Sequence, residues 1–265
     1  MRFIDQVAIV TGSSSGNGRA IALALAAEGA RIVCSDLVQK ARPEGFEADL
    51  DIDTDALIRK QGGQAVYVKA DVSKSADVEN LVKQAVEHFG RLDVMINNAG
   101  VCIELKTIVE ETEADYDLTM NVNTKGVWLG CKFAITQMLK QPPRADGTRG
   151  RIVNVSSIGG LVGLAQEPSY CASKGAVNNL TRQLAVDFAA EKINVNAICP
   201  GFLATAMVRQ ELDDPKIKAI LESLTPWPRI GNVQDVAKAV TFLASDDAQW
   251  MTGSLLTVDG AYTAQ

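Results

Sequence analysis

Residues 7–22 read VAIVTGSSSGNGRAIA: five strand-forming positions, a turn with glycine at 12, 16 and 18, then a run of helix formers. Glycine permits a tight turn and lets backbone approach a ligand without an intervening Cβ. The helix start that follows offers unpaired N–H groups and the positive end of its dipole. A flexible turn has a similar composition, so the stretch gains meaning from its flanks: strand before, helix after. In that setting Gly12, Ser14, Ser15, Gly16, Asn17 and Gly18 are the residues that would face the diphosphate of a dinucleotide.

The next strand adds to this. It ends in Asp36, followed by Leu37, about twenty residues beyond the turn, where a carboxylate accepts hydrogen bonds from adenosine ribose hydroxyls. A 2′-phosphate would meet that negative charge, and neither Ser15 nor Leu37 offers a cation to neutralise it. The reading is NAD rather than NADP. The plainer alternative is that Asp36 merely caps a strand end.

Farther out, short β-branched runs alternate with amphipathic stretches. Strands are predicted at residues 7–11, 30–35, 65–70, 92–97, 151–156, 194–199 and 255–258. Helices are predicted at about 17–28, 55–60, 75–88, 113–141, 169–191 and 233–243. This βαβ rhythm, with strands apolar on both faces, predicts a single-domain α/β fold: a doubly wound sheet of about seven parallel strands. Two stretches interrupt it. Residues 37–53 carry Pro43, Gly45 and five acidic side chains and read as a solvated acidic excursion rather than a binding flap. Residues 202–229 follow a Pro-Gly turn at the carboxyl end of a strand, the usual ligand side of such sheets, and read as a substrate cover.

Bulk properties narrow the function classes. The chain has 265 residues, 47% hydrophobic and 22% charged, with a net charge of −6, so one core suffices. Nothing draws it to nucleic acid or anionic membrane, and no apolar run reaches the ~18 residues of a membrane span. The cytoplasm is the expected location. Five scattered cysteines and one histidine give no metal pattern. His88 falls near a helix end, where capping suits it better than catalysis, and Cys171 reads as a small packing thiol.

Proton chemistry therefore needs another group. Tyr170 and Lys174, four apart in a predicted helix, project from one face about 6 Å apart along the axis. A lysine ammonium lowers the pKa of a neighbouring phenol, which is expected to make Tyr170 a usable acid/base. Such a pair is also common on amphipathic helices. Its company distinguishes it: Thr11-Gly12 with Gly16 and Gly18, Asn97-Asn98-Ala99-Gly100, Asn123, Ser157, Tyr170-x-x-x-Lys174 and Pro200-Gly201. With these motifs, from about residue 5 to 262, the chain resembles the short-chain dehydrogenase/reductase family.

The resemblance implies a Rossmann-type domain that moves hydride between NAD and a secondary alcohol or ketone. Ser157 would hydrogen-bond the substrate oxygen, Tyr170 exchange its proton, Lys174 also bind the nicotinamide ribose, and Asn123 hold a water of the proton relay. Ser156 and Asn121 are the competing positions. By similarity Asp71 and Val72 would contact adenine, and Asn98, Ala99 and Gly100 would line the adenosine ribose. Pro200, Gly201, Leu203 and Thr205 would lie at the nicotinamide. Leu164, Phe202 and Met207, with Ser157 and Tyr170, are the candidate substrate contacts. The family also implies a homotetramer, with a dimer as the smaller option. Three departures stand out: Asn17 between two glycines, the long acidic excursion, and Ala261 where a second glycine is frequent. Competing functions are a 3-oxoacyl thioester reductase and a non-catalytic NAD-binding regulator.

Overall fold

In β1 (Val7–Thr11) the side chains of Ala8 and Val10 enter one buried cluster and those of Val7 and Ile9 enter another. This is the alternation of a strand covered on both faces. The computed structural model describes residues 1–265, the side chain of Glu211 excepted. Around β1 lie β2 (Arg31–Asp36), β3 (Gln64–Lys69), β4 (Val94–Asn97), β5 (Gly150–Val155), β6 (Ile193–Pro200) and β7 (Leu255–Val258). Their order across the sheet is β3-β2-β1-β4-β5-β6-β7, every neighbour parallel. The order reverses between β1 and β4, which opens a crevice at the carboxyl ends of those strands.

One face is covered by α1 (Gly16–Ala27), where Ala20, Ile21 and Leu25 pack with the later Val236, Val240 and Leu243. After α2 (Thr54–Lys60), the other face receives α3 (Ser75–Phe89). Next come α4 (Glu113–Met120), α5 (Gly126–Lys140) and α6 (Pro168–Phe188). Leu81, Val127, Met138 and Val177 meet Ile9, Met95 and Ile152 there. The chain closes with α7 (Arg209–Asp213), α8 (Pro215–Leu224) and α9 (Val233–Leu243), the last carrying Val236 and Val240 back onto α1. His88 is exposed in the last turn of α3, ahead of Gly90 at φ 84°.

Two expectations change. The single helix over residues 113–141 is interrupted by a π-helical turn, Asn121–Lys125, that separates α4 from α5. Periodicity alone does not reveal such a turn, because the helix continues beyond it. The excursion over residues 37–53 is not simply solvated: it folds back onto the glycine turn. Ser14 Oγ donates to Val38 O at 2.7 Å, and the Arg42 N–H donates to Ser15 Oγ at 2.7 Å. The buried guanidinium of Arg19 holds Asp49 through its backbone oxygen at 3.0 Å and its carboxylate at 3.1 Å. Among the described residues no helix is long and apolar enough to cross a membrane.

Candidate active site

The glycine turn is closed as tightly as side-chain-free backbone allows. Gly12 and Gly16 adopt φ of 64° and 54°. A Cβ on Gly18 would fall 2.0 Å from Gly12 O and 2.6 Å from Asn98 Nδ2, so α1 starts hard against the end of β1. Gly16 is less confined on its Cα side: an added Cβ would meet only Thr205, at 3.8 Å. A cleft of about 440 Å³ begins here, walled by Gly12, Ser14, Ser15, Gly16 and Asn17. Amides without Cβ cover at a helix N-terminus fit a diphosphate. The Oδ1 of Asn17 is buried there without a hydrogen-bond partner.

Away from the glycine turn the wall continues through Asp36, Leu37, Asp71 and Val72. The Asp36 carboxylate accepts from Ser14 N at 3.1 Å and Leu37 N at 2.8 Å, which holds it at the rim. Asp71 also has a local task, accepting from Ser73 N and Oγ at 3.0 and 2.6 Å, and the Ser73 hydroxyl holds its carboxyl below the usual range. Asn98, Ala99 and Gly100 line the cleft as well. The Asn98 side chain, however, turns inward to donate to Thr11 O at 2.9 Å and Gly12 O at 3.2 Å, clamping β1 to the end of β4. Sequence reasoning overlooked Lys40 and Arg42, which the folded-back excursion adds to the same wall. Their distance from the glycine turn along the chain left no local signal.

The far end of the cleft reaches Tyr170 and Lys174. Lys174 is buried, and its Nζ donates to Val155 O at 3.0 Å, 5.6 Å from the Tyr170 ring centre. A Cβ on Gly100 would stand 3.3 Å from Asn123 Oδ1 and 3.5 Å from Lys174 Nζ, so these three residues meet. Asn123 is fully buried because the π-turn swings it inward. Its amide donates to Val101 O at 2.8 Å and Ser173 Oγ at 3.2 Å, and accepts from Val101 N at 2.8 Å. Asn121 is exposed. The serine pair separates: Ser156 Oγ donates to Lys174 O at 3.2 Å, whereas the Ser157 hydroxyl accepts from Gly159 N at 3.1 Å and acts on the Tyr170 phenol, lowering it.

The electrostatics differ from the expectation of a phenol acidified by its lysine. Burial pushes the Tyr170 phenol well above its ordinary value, with the Ser157 hydrogen bond opposing it. Lys174 is itself pushed down to about 8 by burial. Its Nζ lies over the ring and is engaged with a carbonyl, so desolvation outweighs mutual charge stabilisation. The half-buried Cys171 thiol is raised by burial and faces Leu164 N at 3.4 Å.

Not every expected contact faces the cleft. Thr205 and Met207 line it, beside Val101, Leu118, Val122 and Ala206, which sequence reasoning missed. Phe202 does not: it packs edge-on against Tyr262 at 5.5 Å and, with Leu203, lines a separate cavity of about 370 Å³. The reason is the two-residue pairing of Leu203–Ala204 with Gly231–Asn232, which aims this side chain away from Tyr170. Leu164 sits above Gly159 outside the cleft lining. Pro200 ends β6, and Gly201 packs on Asp259, its N–H donating to Val258 O at 3.0 Å.

Residues 12–263 match the family model described as enoyl-(acyl carrier protein) reductase. The 2-(R)-hydroxypropyl-CoM dehydrogenase of Xanthobacter autotrophicus is 38% identical over 98% of this chain and 100% of its own. The cyclopentanol dehydrogenase of a Comamonas species is 38% identical over 99% of each chain. Among solved structures, a putative 2-deoxy-D-gluconate 3-dehydrogenase from Agrobacterium tumefaciens with bound NADP is similar at a TM-score of 0.85. It is 32% identical, with 99% of this chain and 98% of that chain covered.

Proposed function

The chain belongs to the short-chain dehydrogenase/reductase family of oxidoreductases, and on that premise we propose that it transfers hydride reversibly between NAD and a secondary alcohol or ketone. The observation that carries this is a cleft that runs from a glycine-lined helix N-terminus to Tyr170 and Lys174, with Asn123 meeting Lys174 behind Gly100 and Ser157 beside Tyr170. The nicotinamide, when bound, would accept hydride in its oxidised form during alcohol oxidation and donate it in its reduced form during ketone reduction. In the reducing direction Tyr170 gives its phenolic proton to the carbonyl oxygen while Ser157 donates a hydrogen bond to the same oxygen, stabilising developing alkoxide. In the oxidising direction the phenolate takes the hydroxyl proton back, and Lys174 and Asn123 sit behind it on the return path. A phenol raised by burial is a competent acid at neutral pH and needs alkaline pH to act as base.

Val101, Leu118, Val122, Ala206 and Met207 surround the reacting end with apolar surface, which supports an alcohol with a compact hydrocarbon frame. The cyclopentanol and hydroxypropyl relatives are named for secondary alcohols of that kind. The segment over residues 202–229 covers the substrate. Asp36 supports NAD; Lys40 and Arg42 on the same wall favour NADP as the second reading. Exposed Tyr116 and Trp128 on α4 and α5 support self-association as a homotetramer. The decisive experiment is Tyr170→Phe. Turnover should fall about 10²- to 10⁴-fold with NAD affinity retained, and undiminished turnover would sink the mechanism.

A further inference from the structure

The Gly16 N–H, at the helix N-terminus of the cleft, is met by an anion from the chain itself: Glu47 Oε1 accepts its hydrogen bond. Glu47 belongs to the acidic excursion, 31 residues away. The second oxygen of this carboxylate is buried and has no hydrogen-bond partner. Ser15, the residue preceding α1, does not cap the helix with its own side chain, its hydroxyl being taken by the Arg42 N–H. A carboxylate and a diphosphate cannot share one N–H, and their charges repel at contact distance. Beside Glu47, the ring of Phe46 lies 4.3 Å from the Arg209 guanidinium, which also reaches Glu44 O at 3.5 Å. Arg209 opens α7, in the segment that covers the substrate end.

We infer that Glu47 is an intramolecular stand-in for the cofactor diphosphate, displaced when the dinucleotide binds, and that the Phe46–Arg209 contact passes this displacement to residues 202–229. The inference rests on the dinucleotide reading of the cleft. Three features of the contact suit displacement. It is made by one oxygen of the carboxylate. The other oxygen is held away from water without compensation. And the excursion around it has no helix or strand to lock it in place. A closed form that must open first reduces apparent affinity by the fraction already open. Removing the stand-in therefore tightens binding of any ligand that carries the diphosphate and leaves others alone. The linked contact makes cofactor binding and the position of α7 interdependent, as thermodynamic reciprocity requires.

The test uses the full-length protein. Titration calorimetry would compare wild type, Glu47→Ala and Glu47→Gln, the last keeping an acceptor of the same shape to guard against misfolding. The ligands are NAD, ADP and adenosine. The Kd of NAD and ADP should fall about tenfold in Glu47→Ala and less in Glu47→Gln, on the order of 1.4 kcal/mol for the former. Adenosine, which lacks the diphosphate, should bind equally to all three. Limited proteolysis within residues 202–229 should change on adding NAD in wild type and lose that response in Phe46→Leu. Unchanged or weakened NAD binding in both Glu47 variants would show a simple helix cap or a cofactor contact and overturn the inference. An NAD response that survives in Phe46→Leu would overturn the coupling. If neither NAD nor ADP binds any of the three proteins, the dinucleotide reading itself falls, and the stand-in with it.

Discussion

Replacing Asp36 with asparagine removes one negative charge from the rim of the cleft, where the proposed function puts the adenosine ribose, while preserving size and one acceptor. In the protein this carboxylate already accepts from Ser14 N at 3.1 Å and Leu37 N at 2.8 Å, so it is oriented before any ligand arrives. Each oxygen keeps a free lone pair for a ribose hydroxyl. Hydrogen bonds to a charged partner contribute roughly 1.5–3 kcal/mol. Because Asp36 is partly exposed, the low end applies, about 1.5 kcal/mol. That corresponds to about a tenfold loss in kcat/KM with NAD. For NADP the same change removes a like-charge contact. At 4 Å this is worth about 1 kcal/mol in water and about 4 kcal/mol near a protein surface. Taking the smaller value gives about a fivefold gain. The NAD:NADP preference should therefore shift by roughly 50-fold or more. The assay is initial-rate kinetics with each nicotinamide at a fixed secondary alcohol. A wild-type enzyme that prefers NADP would refute the assignment of Asp36 and make Lys40 and Arg42 the determinants. So would a variant whose preference moves less than about threefold.

Further outcomes concern the proton path and the carboxyl terminus. Lys174 is pushed down to about 8, so its ammonium is intact below that pH and lost above it. Ketone reduction should hold steady to about pH 8 and decline beyond, and an inflection that persists in Lys174→Met would assign it to another group. Ala261 takes the left-handed conformation at φ 70°, which costs a non-glycine residue about 1–2 kcal/mol. The extra chain entropy of glycine offsets part of this, leaving Ala261→Gly more stable by about 0.5–1 kcal/mol. Thermal denaturation should show a rise of about 1–3 °C, and a lower midpoint would contradict the strain assignment.

The sheet was legible before folding was considered because its information is local. Residues 7–11 and 255–258 are strands with the boundaries that their apolar runs predict, and the other five strands shift by one or two residues. Tyr170 and Lys174 were readable for a similar reason, since a four-residue spacing on a helix places both on one face. Gly18 was readable as well, because backbone can approach backbone that closely only where no Cβ intervenes. What remained hidden depends on contacts between distant segments. The π-turn that buries Asn123 continues an unbroken helical pattern. Ser156 and Ser157 part only in the folded chain, where Ser156 bonds the Lys174 backbone. Phe202 turns away with a strand pair closed by residues 231–232. The acidic excursion has the composition of a solvated loop, yet buried Arg19 and the Gly16 amide draw it onto the glycine turn. Periodicity and spacing report how a segment presents its own side chains. Which of them meet across the fold was decided by long-range ion pairing, amide satisfaction and packing, which exist once the chain is closed.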